Sequence, residues 1–251
     1  MIAFPREVRP VLGTWVSIPH PSVIEVLAGS GFDFLLFDGE HAPLPTDALA
    51  TLLPAAELGG KAVCYRVPIN RPEYIKAALD AGVGAVMVPM VETADAARAV
   101  VSAARYPPLG NRGVGPWRGS DFYRDMDTYL SEANDRHAVV VQIESRRAVA
   151  VVEEIAAVDG TDVLYVGPAD LASDLHARGE GEMLDAAIDR VAEAAARHGK
   201  RAGIDVASVD DVPDFVRRGF SFFTYGLDLS SLDAGTAAAF DALSTAAGCG
   251  E

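Results

Sequence analysis

The sequence predicts an α/β fold, a (β/α)8 TIM barrel that forms one domain over residues 1–251. Short apolar runs rich in Val, Phe and Ile occur eight times, and helical stretches separate them. The runs are near-continuous rather than alternating, as in parallel strands that helices cover on both faces. Eight strand–helix units in a chain of this length favour a closed barrel.

The apolar runs locate the strands. In chain order they are predicted at residues 11–18, 32–38, 61–67, 85–90, 138–144, 163–168, 201–206 and 220–226. A doubly wound open sheet is the rival arrangement, and it usually carries a glycine-rich turn after its first strand. The segment Ser17-Ile18-Pro19-His20-Pro21 contains no glycine, which favours the barrel.

Helix start and stop signals lie between these strands. Pro21 and Pro72 stand in first turns, Thr46 and Thr93 are candidate caps, and glycines follow most helix ends. These signals predict helices at 21–30, 46–58, 72–81, 93–105 and 182–198. Residues 106–137 predict an additional loop and helix after the fourth strand, and residues 231–244 predict a C-terminal helix.

Charge and composition exclude several classes of protein. The chain has 21 Lys and Arg against 36 Asp and Glu, a formal net charge of -15, which disfavours binding to nucleic acid or anionic lipid. Two cysteines do not make a disulfide scaffold and fit a reducing compartment. Residues 1–10 lack the apolar core of a signal peptide, and no apolar run has the length of a membrane span. We therefore expect a cytoplasmic protein without membrane partners.

Polar side chains gather at the C-terminal ends of the predicted strands, where barrels of this kind hold their active sites. They are Asp38, Glu40 and His41 at strand two, Arg66 at strand three, Gln142 and Glu144 at strand five, Asp170 at strand six, Asp205 at strand seven and Asp228 at strand eight. The carboxylates of Glu144 and Asp170 follow neighbouring strands and repel each other unless a cation lies between them. Oxygen ligands suit Mg²⁺ or Mn²⁺.

Two residues of this set have candidate catalytic roles. His41 is a candidate general base, and Arg66 is a fixed cation for a carboxylate or an enolate oxygen. Each assignment has a structural alternative: an ordinary surface histidine for His41, and an internal ion pair with Asp38 or Glu40 for Arg66. Glu144 and Asp170 are alternatively caps of the helical segments that follow them.

The three lysines narrow the mechanism. Lys61 and Lys200 precede strands, at the opposite end of the barrel, and Lys76 lies within a helix. None stands where a Schiff-base lysine is needed, so the sequence favours a metal-dependent enolate mechanism over an imine. Cys64 lies inside strand three, where packing is the expected role.

Six motifs taken together resemble the HpcH/HpaI family of metal-dependent pyruvate aldolases. They are FDGEHAP at 37–43, VPMVET at 88–93, RYPPLG at 105–110, RGVG at 112–115, QIE at 142–144 and VGPADL at 166–171. They run in the family's order, and the resemblance spans residues 13–228. No motif alone is specific, whereas the ordered set is.

The resemblance implies roles for the residues that match. His41 is the base, acting through a metal-bound water, and Asp80 raises its basicity; without the resemblance, Asp80 is a surface acid at a helix end. Arg66 stabilises the enolate and aldol oxygens, and Glu144 and Asp170 bind the metal. The remaining matches bind substrate: Trp15 near the pyruvate methyl group, Gln142 at the oxo acid, and the segment Gly167, Pro168, Ala169 and Asp170, whose amides at Ala169 and Asp170 form a carboxylate cradle.

The implied activity is the reversible cleavage of 4-hydroxy-2-oxo acids to pyruvate and an aldehyde. The implied cofactor is a divalent cation (Mg²⁺, Mn²⁺ or Co²⁺), and the implied assembly is a homotrimer or homohexamer. Three alternatives stay open: an oxaloacetate decarboxylase, an acyl-CoA lyase of the same superfamily, and a catalytically silent barrel that binds an oxo acid. The net charge of -15 disfavours the phosphates of CoA.

Three segments depart from the family pattern, and we expect all three on the side of the acceptor aldehyde. They are Asp205 in place of an apolar residue, the strand-eight segment Gly226-Leu227-Asp228-Leu229, and the bulky loop Pro116-Trp117-Arg118-Gly119. Asp205 either faces the barrel mouth or caps the next helix, for which Ser208 is the other candidate. At the mouth, its charge predicts a preference for neutral hydroxylated aldehydes over acidic ones.

Overall fold

A computed structural model describes residues 2–5 and 9–248 of the chain. Residues 1, 6–8 and 249–251 lie outside that description. They include Cys249 and part of the N-terminal segment that was examined for a signal peptide. Eight parallel strands close into a barrel in chain order, and β1 pairs with β8. The predicted (β/α)8 barrel is confirmed, and the open sheet is excluded.

The strands lie where the apolar runs predicted them; most are shorter than predicted, whereas β7 has the predicted bounds and β8 is one residue longer. They are β1 (Val11–Val16), β2 (Phe34–Asp38), β3 (Ala62–Arg66), β4 (Ala85–Val88), β5 (Ala138–Ile143), β6 (Val163–Val166), β7 (Arg201–Val206) and β8 (Phe220–Leu227). β4 ends two residues early because Met90 has a φ of 52°, which no strand residue adopts. β6 ends at Val166 because Gly167 is the N-cap of a helix that begins with Pro168.

Eleven α-helices lie within the described residues. They are α1 (Pro21–Ala28), α2 (Leu49–Leu58), α3 (Pro72–Ala81), α4 (Ala94–Ala104), α5 (Met126–Arg136), α6 (Arg146–Ala150), α7 (Val152–Ala156), α8 (Pro168–Ala177), α9 (Leu184–Arg197), α10 (Val212–Arg217) and α11 (Asp228–Ala246). The extra helix predicted in 106–137 is α5, and the C-terminal helix α11 is longer than predicted. None of the described helices is both long enough and apolar enough to cross a membrane.

The helix caps follow the sequence signals with one exception. Thr93 caps α4 by accepting a hydrogen bond from the Ala96 amide, as predicted. Thr46 instead begins a 3₁₀ turn (Thr46–Ala48) ahead of α2, and its hydroxyl lies 3.2 Å from the hydroxyl of Tyr65. The hydroxyl is therefore used for tertiary contact rather than for capping.

Two apolar layers hold the barrel. The larger lies between the strands and the surrounding helices, and a smaller one fills the barrel interior. Inside, the rings of Phe4, Phe34 and Phe222 meet, with centroids of Phe34 and Phe222 4.9 Å apart. A Cβ at Gly13 would lie 2.2 Å from the Phe34 ring, so glycine is needed on β1 for this packing. The described side chains thus fill the interior below the strand ends, so the barrel opens to a ligand at its mouth.

Asp228, the first residue of α11, fastens the end of β1. Its buried carboxylate accepts hydrogen bonds from the Ser17 amide at 2.9 Å, the Ile18 amide at 2.7 Å and the Ser17 hydroxyl at 2.7 Å. Asp228→Ala leaves these donors without an acceptor, so we expect the free energy of unfolding to fall by about 2–3 kcal/mol in urea titrations. Asp233→Ala, at an exposed position of the same helix, is the control and is expected to leave it unchanged within about 0.5 kcal/mol. Equal stability of the two variants would contradict the role of Asp228.

Candidate active site

A cavity of about 720 Å³ opens at the C-terminal ends of the strands. Its lining draws on loops and strand ends from all around the mouth: Trp15, Asp38, His41, Arg66, Gln142, Tyr165, Gly167, Pro168, Ala169, Asp170, Asp205, Val206, Ala207, Tyr225, Gly226, Leu227, Ser230, Ser231 and Ala234. The cavity thus brings together most of the residues that the sequence singled out.

Arg66 is clamped at the centre of this mouth. Asp38 and Arg66 are register partners on β2 and β3, and the Arg66 guanidinium donates to both carboxylate oxygens of Asp38, at 2.9 and 2.8 Å. Its third nitrogen lies 3.2 Å from a carboxylate oxygen of Glu40, and its Cζ atom lies 4.4 Å from the ring centroid of Trp15. Burial opposes ionisation of Asp38, but the hydrogen bonds and charge of Arg66 lower the pKa of Asp38 overall. The ion-pair alternative for Arg66 is therefore correct, and it fixes a cation that still lines the cavity.

Glu144 is a buried acid just beyond β5. Its carboxylate accepts hydrogen bonds from the Met90 amide at 2.7 Å and from the Gln142 side chain at 3.0 Å. A Cβ at Gly167 would lie 2.7 Å from Glu144 Oε2, so glycine gives this carboxylate its space. Burial, with the charges of Glu40 and Asp170, raises the pKa of Glu144 to about 7. The capping alternative is wrong, because the hydroxyl of Ser145 caps α6.

Asp170 lies in the first turn of α8 and not at its N-cap, which is Gly167. Its side chain is exposed at the cavity wall, and its charge raises the pKa values of both Glu40 and Glu144, after the larger effect of burial. β5 and β6 are paired neighbours, so Glu144 and Asp170 follow adjacent strands, as the sequence predicted. Among the described residues, no group of three or more His, Cys, Asp or Glu side chains is arranged to hold a metal ion.

His41 lies on the loop after β2. Its side chain is 64% exposed, and its Nε2 is 3.7 Å from the Glu40 carboxylate. The backbone amides of Glu40 and His41 both donate to Asp38 Oδ1, at 3.0 and 3.2 Å, which ties this loop to the clamp on Arg66. His41 is thus accessible, as a surface histidine is, and lines the cavity as a base must.

Two groups at the cavity carry unused hydrogen-bonding capacity. The Oε1 atom of Gln142 is buried without a partner among the described residues, while its Nε2 donates to Glu144. The amides of Ala169 and Asp170 precede the first hydrogen bond of α8, from Leu171 N–H to the Gly167 carbonyl. An orphaned buried acceptor and free amides at a helix start are what a polar, anionic ligand would satisfy.

Asp205 faces the opposite wall, at the end of β7. Its Oδ1 accepts hydrogen bonds from Trp15 Nε1 at 2.8 Å and from the Thr224 hydroxyl at 2.5 Å. The Tyr165 hydroxyl lies 2.5 Å from Thr224 and extends this chain of contacts into the barrel. Burial raises the pKa of Asp205, which its two hydrogen bonds and the charge of Arg66 oppose. The capping alternative is wrong, because Ser208 caps the turn before α10.

Glu40 and Glu144 do not line the cavity themselves, but they contact the lining residues Arg66 and Gln142, respectively. Three other predicted residues lie elsewhere. Asp80, in the last turn of α3, accepts a hydrogen bond from Arg112 at 2.6 Å, so within one chain its partner is not His41 and its effect on that histidine stays a prediction. Arg118 pairs with Glu57 at 2.6 Å and lines a different pocket together with Gly119, so placing this loop at the acceptor side was wrong for a single chain. Asp228 also lies outside the cavity lining, although its neighbours Gly226 and Leu227 belong to it.

Sequence reasoning did not select Met90, Tyr165 or Thr224. Met90 contributes a backbone amide whose position depends on its φ of 52°, and left-handed backbone at a bulky residue marks local strain at a site. Thr224 is an internal residue of β8 and meets Trp15 across 209 positions of sequence. The polar letters T and Y inside otherwise apolar strands were the available signal, because buried hydroxyls need partners.

The chain is similar to known proteins in both sequence and structure. The family model for HpcH/HpaI aldolase/citrate lyase matches residues 12–234. A 4-hydroxy-2-oxovalerate aldolase of Novosphingobium aromaticivorans is 41% identical over 89% of this chain and 86% of its own length. A 4-hydroxy-2-oxo-heptane-1,7-dioate aldolase of Escherichia coli is 39% identical over 89% and 87%. The crystal structure of an HpcH/HpaI aldolase/citrate lyase family protein from Burkholderia cenocepacia has a TM-score of 0.87 at 36% identity, covering 94% of this chain and 95% of that one.

Proposed function

The chain belongs to the HpcH/HpaI aldolase/citrate lyase family, and on that premise we propose that it reversibly cleaves 4-hydroxy-2-oxo acids to pyruvate and an aldehyde, with a divalent cation as cofactor. One observation carries the proposal. The buried carboxylate of Glu144 experiences the negative charges of Glu40 and Asp170, and Arg66, the one guanidinium among the described residues that line the cavity, is already paired with Asp38 and Glu40. This excess of negative charge is what a bound cation would offset.

The side chains fit a hard divalent ion. Glu144 and Asp170 offer carboxylate oxygens, the ligands that Mg²⁺ and Mn²⁺ prefer, with Co²⁺ the third candidate. Two protein ligands leave coordination positions for water and substrate, which agrees with the lack of a three-residue cluster in the described chain. When bound, the ion would act as a Lewis acid that polarises the 2-oxo group of the substrate.

The chain's own residues would carry the remaining steps. In cleavage, His41 takes the proton of the 4-hydroxyl through a bridging water, the C3–C4 bond breaks, and the aldehyde leaves. The electron pair of that bond becomes the enolate of pyruvate, whose charge Arg66, held by Asp38 and Glu40, helps to stabilise. His41 then returns the proton through water to C3 of the enolate, which gives pyruvate. The amides of Ala169 and Asp170 bind the carboxylate, Gln142 contacts the oxo acid, and Trp15 forms the wall beside the methyl group.

An imine mechanism is disfavoured by position. Lys61 donates to the carbonyls of Ser30 and Phe32 below β3, Lys76 lies within α3, and Lys200 precedes β7. All three lysines of the chain are therefore away from the mouth. The burial of Cys64 raises the pKa of its thiol, so it is not a nucleophile either.

The test follows the enolate directly. Pyruvate is incubated with the protein in deuterated buffer, with and without Mn²⁺, and loss of its C3 protons is followed by NMR. Metal-dependent exchange, together with release of pyruvate from a 4-hydroxy-2-oxo acid, supports the aldolase. Exchange with decarboxylation of oxaloacetate but no aldol cleavage would favour a decarboxylase, and no exchange at all would favour a silent binding barrel.

We also propose a homotrimer or homohexamer located in the cytoplasm. Leu232, Phe240 and Leu243 on α11 are 58%, 69% and 69% exposed, an apolar surface that packing on a neighbouring copy would bury. The native mass is expected at about three or six times 26.4 kDa by light scattering at micromolar concentration. Phe240→Glu is expected to shift the distribution towards smaller species. A wild-type monomer would contradict this proposal.

A further inference from the structure

The cavity has two walls of different chemistry. The wall formed by β2, β3, β5 and β6 carries the paired cation, the acids and the free amides described above. The opposite wall, formed by β7, β8 and the start of α11, carries Asp205 and the hydroxyl-bearing residues Tyr225 and Ser231. If the oxo acid occupies the first wall, the aldehyde portion of the substrate meets the second.

On this second wall, the described residues donate hydrogen bonds to one of the two carboxylate oxygens of Asp205 and not to the other. Both of its hydrogen bonds, from Trp15 and from Thr224, end on Oδ1. Its Oδ2 accepts no hydrogen bond from any described residue, and Asp205 lines the cavity. The two donors fix the carboxylate's orientation, because each is held in turn: the Trp15 ring lies against Arg66, and Thr224 lies 2.5 Å from the Tyr165 hydroxyl. One oriented acceptor is therefore left for a ligand.

The second wall offers no cation. Within the described chain, Arg66 is the sole arginine or lysine that lines the cavity, and Asp38 and Glu40 already pair with it. An aldehyde that carries a carboxylate would bring its negative charge towards Asp205, where no described side chain supplies a counterion. An aldehyde with a hydroxyl group would instead supply the donor that Oδ2 lacks.

We propose that Asp205 is a specificity-determining residue whose free carboxylate oxygen accepts a hydrogen bond from a hydroxyl group of the acceptor aldehyde, so that the chain selects neutral hydroxyaldehydes over aldehydes that carry a carboxylate. This inference rests on the proposed aldolase function and adds the substrate class to it. Asp205 selects through Oδ2 and supports Trp15 through Oδ1, and the two roles respond differently to substitution.

The experiment measures kcat/KM for aldol addition of pyruvate to three aldehydes. Glycolaldehyde carries the hydroxyl, propionaldehyde has the same size without it, and succinic semialdehyde carries a carboxylate. Wild type is expected to prefer glycolaldehyde to each of the others by at least about 10-fold. Asp205→Asn keeps an acceptor for Trp15 and Thr224 while placing an amide donor in the cavity, so it is expected to raise the ratio of succinic semialdehyde to glycolaldehyde by at least about 10-fold.

Two further variants separate specificity from support. Asp205→Leu removes both roles and is expected to lose the preference of glycolaldehyde over propionaldehyde; a folding defect there leaves Asp205→Asn as the deciding variant. Asp210→Asn removes one exposed charge from the same β7–α10 connection and is expected to change no ratio. Equal loss with all three aldehydes in Asp205→Asn would show a supporting role alone and overturn the proposal. Wild-type turnover without preference would overturn it while leaving the aldolase intact, whereas no turnover with any aldehyde would overturn the aldolase and the inference with it.

Discussion

Exhaustive chelation is expected to abolish aldol cleavage, and added Mn²⁺ or Mg²⁺ is expected to restore it. The reason is the charge at the barrel mouth, where burial raises the pKa of Glu144 to about 7, the charges of Glu40 and Asp170 add to this effect, and no described side chain forms an ion pair with Glu144. A divalent ion would supply that missing charge and several kcal/mol of stabilisation to the developing negative charge of the substrate. Pyruvate release, followed continuously after dialysis against chelator and after readdition of each metal, measures the effect.

Glu144→Gln and Asp170→Asn test the ligands separately from the chemistry. Each removes one carboxylate with little change of shape, and Glu144→Gln keeps an acceptor for the Met90 amide. Both are expected to weaken Mn²⁺ binding in calorimetric titrations and to lower turnover by about 10²-fold or more. Glu92→Gln is the matched control, since Glu92 bonds Ser145 and lies outside the cavity lining. Full activity after exhaustive chelation would refute the metal mechanism, and unaltered Mn²⁺ affinity in both ligand variants would refute this pair of ligands.

The apolar pattern was sufficient to predict the fold, because strands that are buried on both faces appear in the sequence as near-continuous apolar runs. Strands such as β5, Ala138–Ile143, are buried at every position, and helices such as α3, Pro72–Ala81, carry proline and glycine at their ends. The predicted ends failed where backbone conformation departs from the regular region, as at Met90 after β4. A left-handed methionine is set by its tertiary surroundings, and nothing in the local letters signals it.

The candidate site was predictable to the extent that strand order places residues. Arg66 and Asp38 become register partners as soon as β2 and β3 are neighbours, and Glu144 and Asp170 follow a neighbouring pair of strands. Hydrogen-bond partners were not predictable in the same way. The amide that holds Glu144 belongs to Met90, and a backbone N–H has no signature in the sequence.

The ion-pair partners of charged side chains outside the strands were the least predictable part. Arg118, placed by similarity at the acceptor side, reaches Glu57 on α2 instead, at 2.6 Å. Asp80 likewise satisfies Arg112, whose side chain is buried and needs a carboxylate to offset its charge. In both cases an ion pair, which the order of the strands does not predict, decides where the side chain lies. Of the three departures from the family pattern, those on strands keep residues at the cavity, namely Asp205 on β7 and Gly226 and Leu227 on β8, whereas the loop departure does not.

The second prediction with a large expected effect concerns His41, whose side chain is accessible at the barrel mouth. A general base must reach the proton that it takes, and the His41 side chain is 64% exposed with its Nε2 3.7 Å from the Glu40 carboxylate. It lines the cavity on the loop that Asp38 anchors through two backbone amides, so its position is fixed relative to Arg66. Loss of the ring therefore removes the proton acceptor and leaves the clamped cation in place.

His41→Ala is expected to lower turnover by about 10²–10⁴-fold, the usual contribution of general acid–base catalysis. The Mn²⁺ affinity is expected to change little, because the proposed ligands are Glu144 and Asp170 and not the imidazole. Steady-state kinetics with a 4-hydroxy-2-oxo acid and calorimetric Mn²⁺ titration of the same preparation measure the two quantities. His176→Ala, which removes an exposed histidine from α8, controls for loss of an imidazole and is expected to match wild type in both. A His41→Ala protein that no longer binds Mn²⁺ would make His41 a ligand, while one with near-normal turnover would assign the proton transfer to another group at the mouth.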